Sequence, residues 1–175
     1  MPPIAHLAVT EKILVMGVGN TLLQDDGIGV HVTESLRASS LADPDSIDPT
    51  MAFVDGGTIG LSLLPEIENA AAVIVIDASE IGEQPGTVRV FHDREIDSQL
   101  SGKRRTVHEV ALADLFAAAA IRGRSPVRRA LVAIQPASTE LGLEPTTAVK
   151  AAIPRAREAV VALAAQWRLE AAKHG

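Results

Sequence analysis

Residues 71–76 read Ala-Ala-Val-Ile-Val-Ile, without one polar side chain, and the run stops at Asp77. Unbroken β-branched apolar residues over one strand length leave no face for water. The segment therefore reads as a central strand covered on both sides, the pattern of a parallel sheet sandwiched between helices. Shorter runs repeat the theme. Residues 13–16 are apolar and end at Gly17-Val18-Gly19-Asn20, a strand entering a tight loop, and 51–54 end at Asp55-Gly56-Gly57. A last strand covers 129–134.

Between these runs the period changes. Ile28, Val32 and Leu36 recur every four residues, so a helix is expected from about Asp26, where a carboxylate caps free N–H groups. The stretch 38–50, with Pro44 and Pro49, reads as a surface loop, and 61–67 as a brief helix. Thr106 and Glu109 form a T-x-x-E capping box before an alanine-rich helix over 107–121, with Val107, Val110, Ala111 and Leu115 as its buried face. A final helix carries Val149, Ile153, Ala156, Val160, Leu163 and Trp167, with a kink expected at Pro154. The strand at 87–91 follows the central one by about nine residues, too few for a parallel crossover. It is expected to be antiparallel and at an edge. The fold class is thus α/β, a three-layer sandwich with a mostly parallel sheet of about five strands, one antiparallel edge strand and helices on both faces. At 175 residues this is one domain, 1–175, with a core over about 12–168 and loose ends.

Composition removes several function classes. The absence of cysteine excludes disulfides, thiolate metal sites and cysteine nucleophiles together. Three Phe, one Trp and no Tyr leave no aromatic platform for single-stranded nucleic acid, and a net charge of −6 argues against a phosphate backbone or an anionic membrane as target. No apolar run approaches the roughly 18 residues of a membrane span, and no basic, apolar leader opens the chain. A cytoplasmic protein, with neither nucleic acid nor membrane as partner, is expected.

In a sheet of this kind ligands bind beyond the carboxyl ends of the strands. Asp26, Asp55 and Asp77 each follow a strand end, and His108 opens a helix at a comparable level. Taken singly they have ordinary readings as a helix cap, a turn residue, a strand-end cap and a first-turn surface residue. Taken together they can converge, and a carboxylate at the end of a wholly apolar strand needs a partner or a metal. The positive end of the helix dipole is expected to keep His108 neutral, the form a metal takes. Two carboxylates and an imidazole suit a hard or borderline ion such as Zn, Ni, Mn or Fe.

Other motifs fail. Gly17-Val18-Gly19-Asn20-Thr21-Leu22 has Leu22 where a dinucleotide fingerprint needs its third glycine, and Asp25 and Asp26 would repel a pyrophosphate there. His108-Glu109-Val110-Ala111-Leu112 lacks the second histidine of H-E-x-x-H, and Gly60-Leu61-Ser62-Leu63-Leu64 lacks the closing glycine of a nucleophile elbow. Two aspartates sharing a proton, in the manner of aspartic proteases, are a further arrangement. A nucleotide-binding module using the glycine loop, with Asp55 on a ribose, and a metal-sensing chaperone that does not cut are the alternatives to an enzyme.

The run Gly17-Val18-Gly19-Asn20-Thr21-Leu22-Leu23-Gln24-Asp25-Asp26-Gly27-Ile28-Gly29-Val30 resembles the opening motif of the maturation endopeptidases of nickel-iron hydrogenases. Asp55-Gly56-Gly57-Thr58, Val75-Ile76-Asp77-Ala78, Pro85-Gly86-Thr87, Val107-His108-Glu109 and Gly142-Leu143-Glu144-Pro145-Thr146 follow in the family's order. The resemblance spans about 12–168. It implies an endopeptidase that removes a C-terminal extension from the precursor of the hydrogenase large subunit after nickel insertion; a monomer is expected, though the sequence does not itself reveal the oligomeric state. By motif match the metal contacts are Asp26, Asp77 and His108, and the family often has Glu where this chain has Asp26. The nickel is carried by the substrate, with other divalent ions as substitutes in vitro. Asp55 matches an aspartate of the family's second motif that shapes substrate binding or assists cleavage, so the resemblance puts Asp26, Asp55, Asp77 and His108 at the catalytic centre. The glycines at 17, 19, 27, 56 and 57 read either as room for a docked tail or as tight-turn residues.

Overall fold

A computed structural model describes residues 12–58, 60–101 and 107–173. Its strands form one five-stranded sheet. The apolar runs give β1 (Ile13–Val18), β2 (Met51–Gly57), β3 (Ala72–Ala78) and β5 (Arg128–Ile134), all parallel, in the order β2-β1-β3-β5-β4. The fourth strand, β4 (Val88–His92), runs antiparallel to β5 at the edge, as the short connection requires.

Period-two alternation divides the core. Ile13, Val15, Ile74, Ile76, Val132 and Ile134 face α1 (Ile28–Ala42) and α6 (Ile153–Ala172). Leu14, Met16, Val73, Val75 and Leu131 face α2 (Leu64–Glu68), α3 (Arg94–Leu100) and α4 (Val107–Ile121). β1 and β3 are buried at every residue, and each fully buried Leu, Ile or Val contributes about 1.5–3 kcal/mol. That is why these segments take the centre. No helix among the described residues is long and apolar enough to cross a membrane.

Four local expectations are corrected. The first helix begins at Ile28, because 24–27 form a separate 3-10 turn, and it runs to Ala42, into the expected loop. α3 was not anticipated: it is seven residues long and buries only Ile96 and Leu100. On α4, Val107 (79% exposed) and Val110 (41%) face solvent, while Leu112, Leu115, Phe116 and Ala119 are buried beside His108. The C-terminal segment is two helices, α5 (Thr147–Lys150) and α6, with Pro154 in the first turn of α6, where its missing N–H costs nothing. Thr106 of the expected capping box, like the ends of the chain, lies outside the described residues.

Strand order reverses between β1 and β3: the chain goes from β1 to β2 on one side and returns to β3 on the other. Parallel sheets open a crevice at such a point, beyond the carboxyl ends. Here two close approaches shape it. Gly29 puts α1 so near the sheet that a Cβ would lie 2.1 Å from the Ile76 carbonyl oxygen, and Gly19, at φ +126°, would bring a Cβ within 1.7 Å of the Asp26 carbonyl oxygen.

Candidate active site

Asp26 stands on the 3-10 turn Gln24–Gly27 that leaves β1. Its Oδ2 accepts the Asn20 N–H at 2.9 Å and, from α4, His108 Nε2 at 2.9 Å. Eighty-two residues of chain separate the two side chains. Asp77 is the sixth residue of β3, and alternation turns it to the side of Val73 and Val75, which is the side α4 covers. There it lies within electrostatic reach of His108, Glu109 and Asp26. Three of the four residues singled out from the sequence, Asp26, Asp77 and His108, thus meet at the switch point.

Asp55 does not join that contact. It is exposed near the carboxyl end of β2, its Oδ1 accepting the Gly57 N–H at 2.8 Å. It flanks the site at one remove, since the Gly57 carbonyl accepts the Gly19 N–H and Asn20 in turn contacts Asp26. A cavity of about 460 Å³ opens beside it, lined by Gly56, Gly57, Thr58, Ser62 and Leu63.

His108 is not the surface residue its first-turn position suggests. It is 8% exposed. The Asp26 hydrogen bond raises its pKa above the usual imidazole value, burial opposes this, and the charges of Asp26, Asp77 and Glu109 add to the rise. Carboxylates within contact thus outweigh the helix dipole, and the imidazolium is favoured. Burial pushes the Asp26 carboxyl up, yet its bonds to His108 and Asn20 prevail and its pKa is lowered. Asp77, 1% exposed, goes the other way: burial drives its pKa well up, His108 works against this, and Glu109 and Asp26 reinforce it.

Two polar atoms here have no hydrogen-bond partner among the described residues, Asp77 Oδ1 and His108 Nδ1. Buried polar atoms are nearly always paired, and a carboxylate with an imidazole that has given up its proton is a donor set that suits a divalent cation. The described His, Asp and Glu side chains nevertheless include no group of three already arranged to hold an ion.

Sequence reasoning missed two acids. Glu109 is 1% exposed and bears on both Asp77 and His108, a role hidden behind its reading as a cap. Asp25, wholly buried, turns away from the cleft. Its Oδ2 accepts from Ala137 N, Ser138 N and Thr146 Oγ1 and its Oδ1 from Thr146 N, at 2.6–3.0 Å. Burial raises the Asp25 carboxyl, but these donors outweigh it and hold its pKa below the usual range. Of the motif glycines, those at 17, 19, 27 and 56 are crowded by backbone and side chains of the fold itself, and at Gly57 a Cβ would meet only Asp55 Oδ1, at 3.9 Å.

Residues 30–163 match the HycI family, hydrogenase maturation protease. The chain belongs to this family. Among maturation protease relatives, it is 36% identical to the hydrogenase 2 maturation protease of Escherichia coli K12 over 163 residues, 91% of this chain and 94% of that protein. It is 35% identical over 130 residues to the hydrogenase expression/formation protein HupD of Rhodobacter capsulatus, which covers 74% of this chain but only 60% of that longer protein. The solved structure of the E. coli hydrogenase maturating endopeptidase HybD superposes with a TM-score of 0.78 at 33% identity, covering 89% of this chain and 93% of that one. As a hydrogenase maturation protease the chain is a peptidase, with the mostly parallel α/β fold of HybD.

Proposed function

We propose that this maturation protease removes the C-terminal extension of a nickel-iron hydrogenase large-subunit precursor, and that Asp26, Asp77 and His108 recognise nickel already seated in that substrate. The observation that carries the reading is the buried Asp77 carboxyl, whose Oδ1 lacks a hydrogen-bond partner and which lies within electrostatic reach of Asp26 and His108. In the protein alone, burial raises the pKa of such a carboxyl and disfavours its charge. A divalent ion brought by the substrate supplies the missing charge, so the site is completed only when the precursor carries metal. Asp26 orients the imidazole through Oδ2 and offers its second oxygen to the ion. Because the nickel arrives with substrate ligands around it, the protein has no need of a closed cage of its own. Asp55 and the cavity beside it receive the peptide that leads to the cut.

The nucleotide-binding alternative is disfavoured on steric grounds. The glycine loop has Asp26 backbone where a pyrophosphate would lie, and Asp25 and Asp26 occupy the turn before α1. The test is incubation with nickel-loaded and nickel-free precursor, followed by mass measurement of the large subunit. Loss of the extension from the nickel-loaded form alone is expected. Equal cutting of both forms removes nickel recognition, and no cutting of either removes the endopeptidase assignment.

A further inference from the structure

Asp25 is the buried acid beside the cleft that the proposed chemistry leaves unused. Both its oxygens are spent on a loop 112–121 residues downstream. Around it the main chain is stitched to the same loop: Gln24 N donates to Gly142 O at 2.8 Å, Gly142 N to Leu22 O at 2.9 Å, and Asp25 N to Ser138 O at 3.1 Å. The stitched turn is strained. Gln24 has φ +43°, a left-handed conformation that residues with a side chain rarely take and keep only where their neighbours over-determine it. Gly142 is where the loop comes closest, since a Cβ there would lie 2.8 Å from Gln24 Cγ. Asp26 is the next residue, held in the same turn by its N–H to Leu23 O at 3.0 Å.

We infer that Asp25 is a positioning residue. Clamped by 137–146, it fixes the turn so that the Asp26 carboxylate meets Asn20 and His108, and holding this turn is the task of the Gly142–Thr146 motif. Hydrogen bonds to an ionised carboxylate are roughly twice as strong as neutral ones, which suits a clamp that must hold a strained residue. Displacements of about 1 Å in a reacting group can cost on the order of a hundredfold in rate. The inference rests on the reading of Asp26 and His108 as working residues.

Asp25→Asn keeps the shape of the side chain and replaces half its acceptors with donors, while Thr146→Val removes one hydrogen bond. Hydrogen exchange by NMR reads the Asn20 amide, which donates to Asp26, against that of Val75 in β3, alongside cleavage kinetics on nickel-loaded precursor. Expected for Asp25→Asn are an Asn20 amide exchanging at least tenfold faster, an unchanged Val75 amide, and kcat lowered at least tenfold with KM within threefold. Thr146→Val moves both readouts the same way but less, and Thr146→Ser restores them. An Asn20 amide that is unchanged, or that accelerates only in step with Val75, overturns the clamp, as does kcat left at the wild-type value. Should Asp25→Asn fail to fold, Thr146→Val decides. Failure of the wild-type protein to cut any precursor sinks the protease reading, while exchange at Asn20 still decides the clamp.

Discussion

Asp77 costs the fold stability at neutral pH. Its folded-state pKa is raised, chiefly by burial. The unfolded chain therefore gives up this proton more readily, and above the ordinary aspartate value stability falls as pH rises. Asp77→Asn keeps the size and discards the charge. It is expected to gain stability relative to wild type as pH rises above about 4, because only the wild-type carboxyl then either holds a proton against solution or carries a buried charge, and to abolish cleavage. Urea unfolding at pH 5 and pH 7 checks the first and the mass assay the second, and a gap between variant and wild type that does not change with pH would mean that burial does not raise this carboxyl. His108→Ala is also expected to abolish cleavage, here with a loss of about 1–3 kcal/mol, because a charge-assisted bond to Asp26 disappears. At this scale the sequence was legible where a residue ends a strand. It was not legible for the pair Asp25-Asp26: a 3-10 turn rotates neighbours by about 120°, sending one inward and one to the cleft, and nothing in two identical letters says which.

Elements were legible where their pattern was one-sided. The wholly apolar β3 announced its place. The alanine-rich α4 did not announce its face, since a helix apolar nearly all round has no readable stripe, and only packing shows that the 108–112–115–116–119 side is inward. α1 depends on a feature that propensity opposes, a glycine in its first turn. Gly29→Ala places a methyl against the backbone oxygens of Ile76 and Val18, at 2.1 and 2.5 Å, and backbone cannot yield as a side-chain tip does. The helix must lift from the sheet. A loss of about 3 kcal/mol in urea unfolding is expected, the upper end for overpacking, and a loss below about 0.5 kcal/mol would show that α1 can shift freely. The loop that clamps Asp25 has a different exposed face, where Leu141 and Leu143 are 84% and 68% exposed next to Gly142. Changing both to serine is expected to leave stability within about 0.5 kcal/mol and to raise KM for precursor at least threefold, if this rim meets the substrate. An unchanged KM places the docking surface elsewhere.

Over the whole molecule, strand spacing was enough for the sheet and the antiparallel edge, because connection length and apolar runs are local properties that limit topology. Contacts between distant segments were beyond it. Asp48 shows the kind of tie that only coordinates disclose. Its Oδ1 accepts Thr50 N and Thr50 Oγ1 at 2.8 and 2.6 Å, and its Oδ2 accepts Arg168 from the far end of α6 at 3.0 Å. The approach to β2 is thereby fastened to the C-terminal helix, 120 residues on. Burial raises this carboxyl, but the bonds from Thr50 and Arg168 prevail and lower its pKa below the usual aspartate value. A depressed folded-state pKa gives stability that is complete above the unfolded value, about 3.9, and is lost as pH falls through the folded one. Asp48→Asn imitates the protonated acid. The variant is expected to be about 1–2 kcal/mol less stable than wild type at pH 5 and pH 7, since its donors include a half-exposed arginine worth less than a buried one. The gap between the two proteins is expected to narrow progressively below pH 4, because the wild-type carboxyl is then taking up the proton that the variant imitates. Urea unfolding of both at pH 7, 5 and 3 measures it, and a gap as wide at pH 3 as at pH 7 would mean that the charge of Asp48 contributes nothing to holding α6 in place.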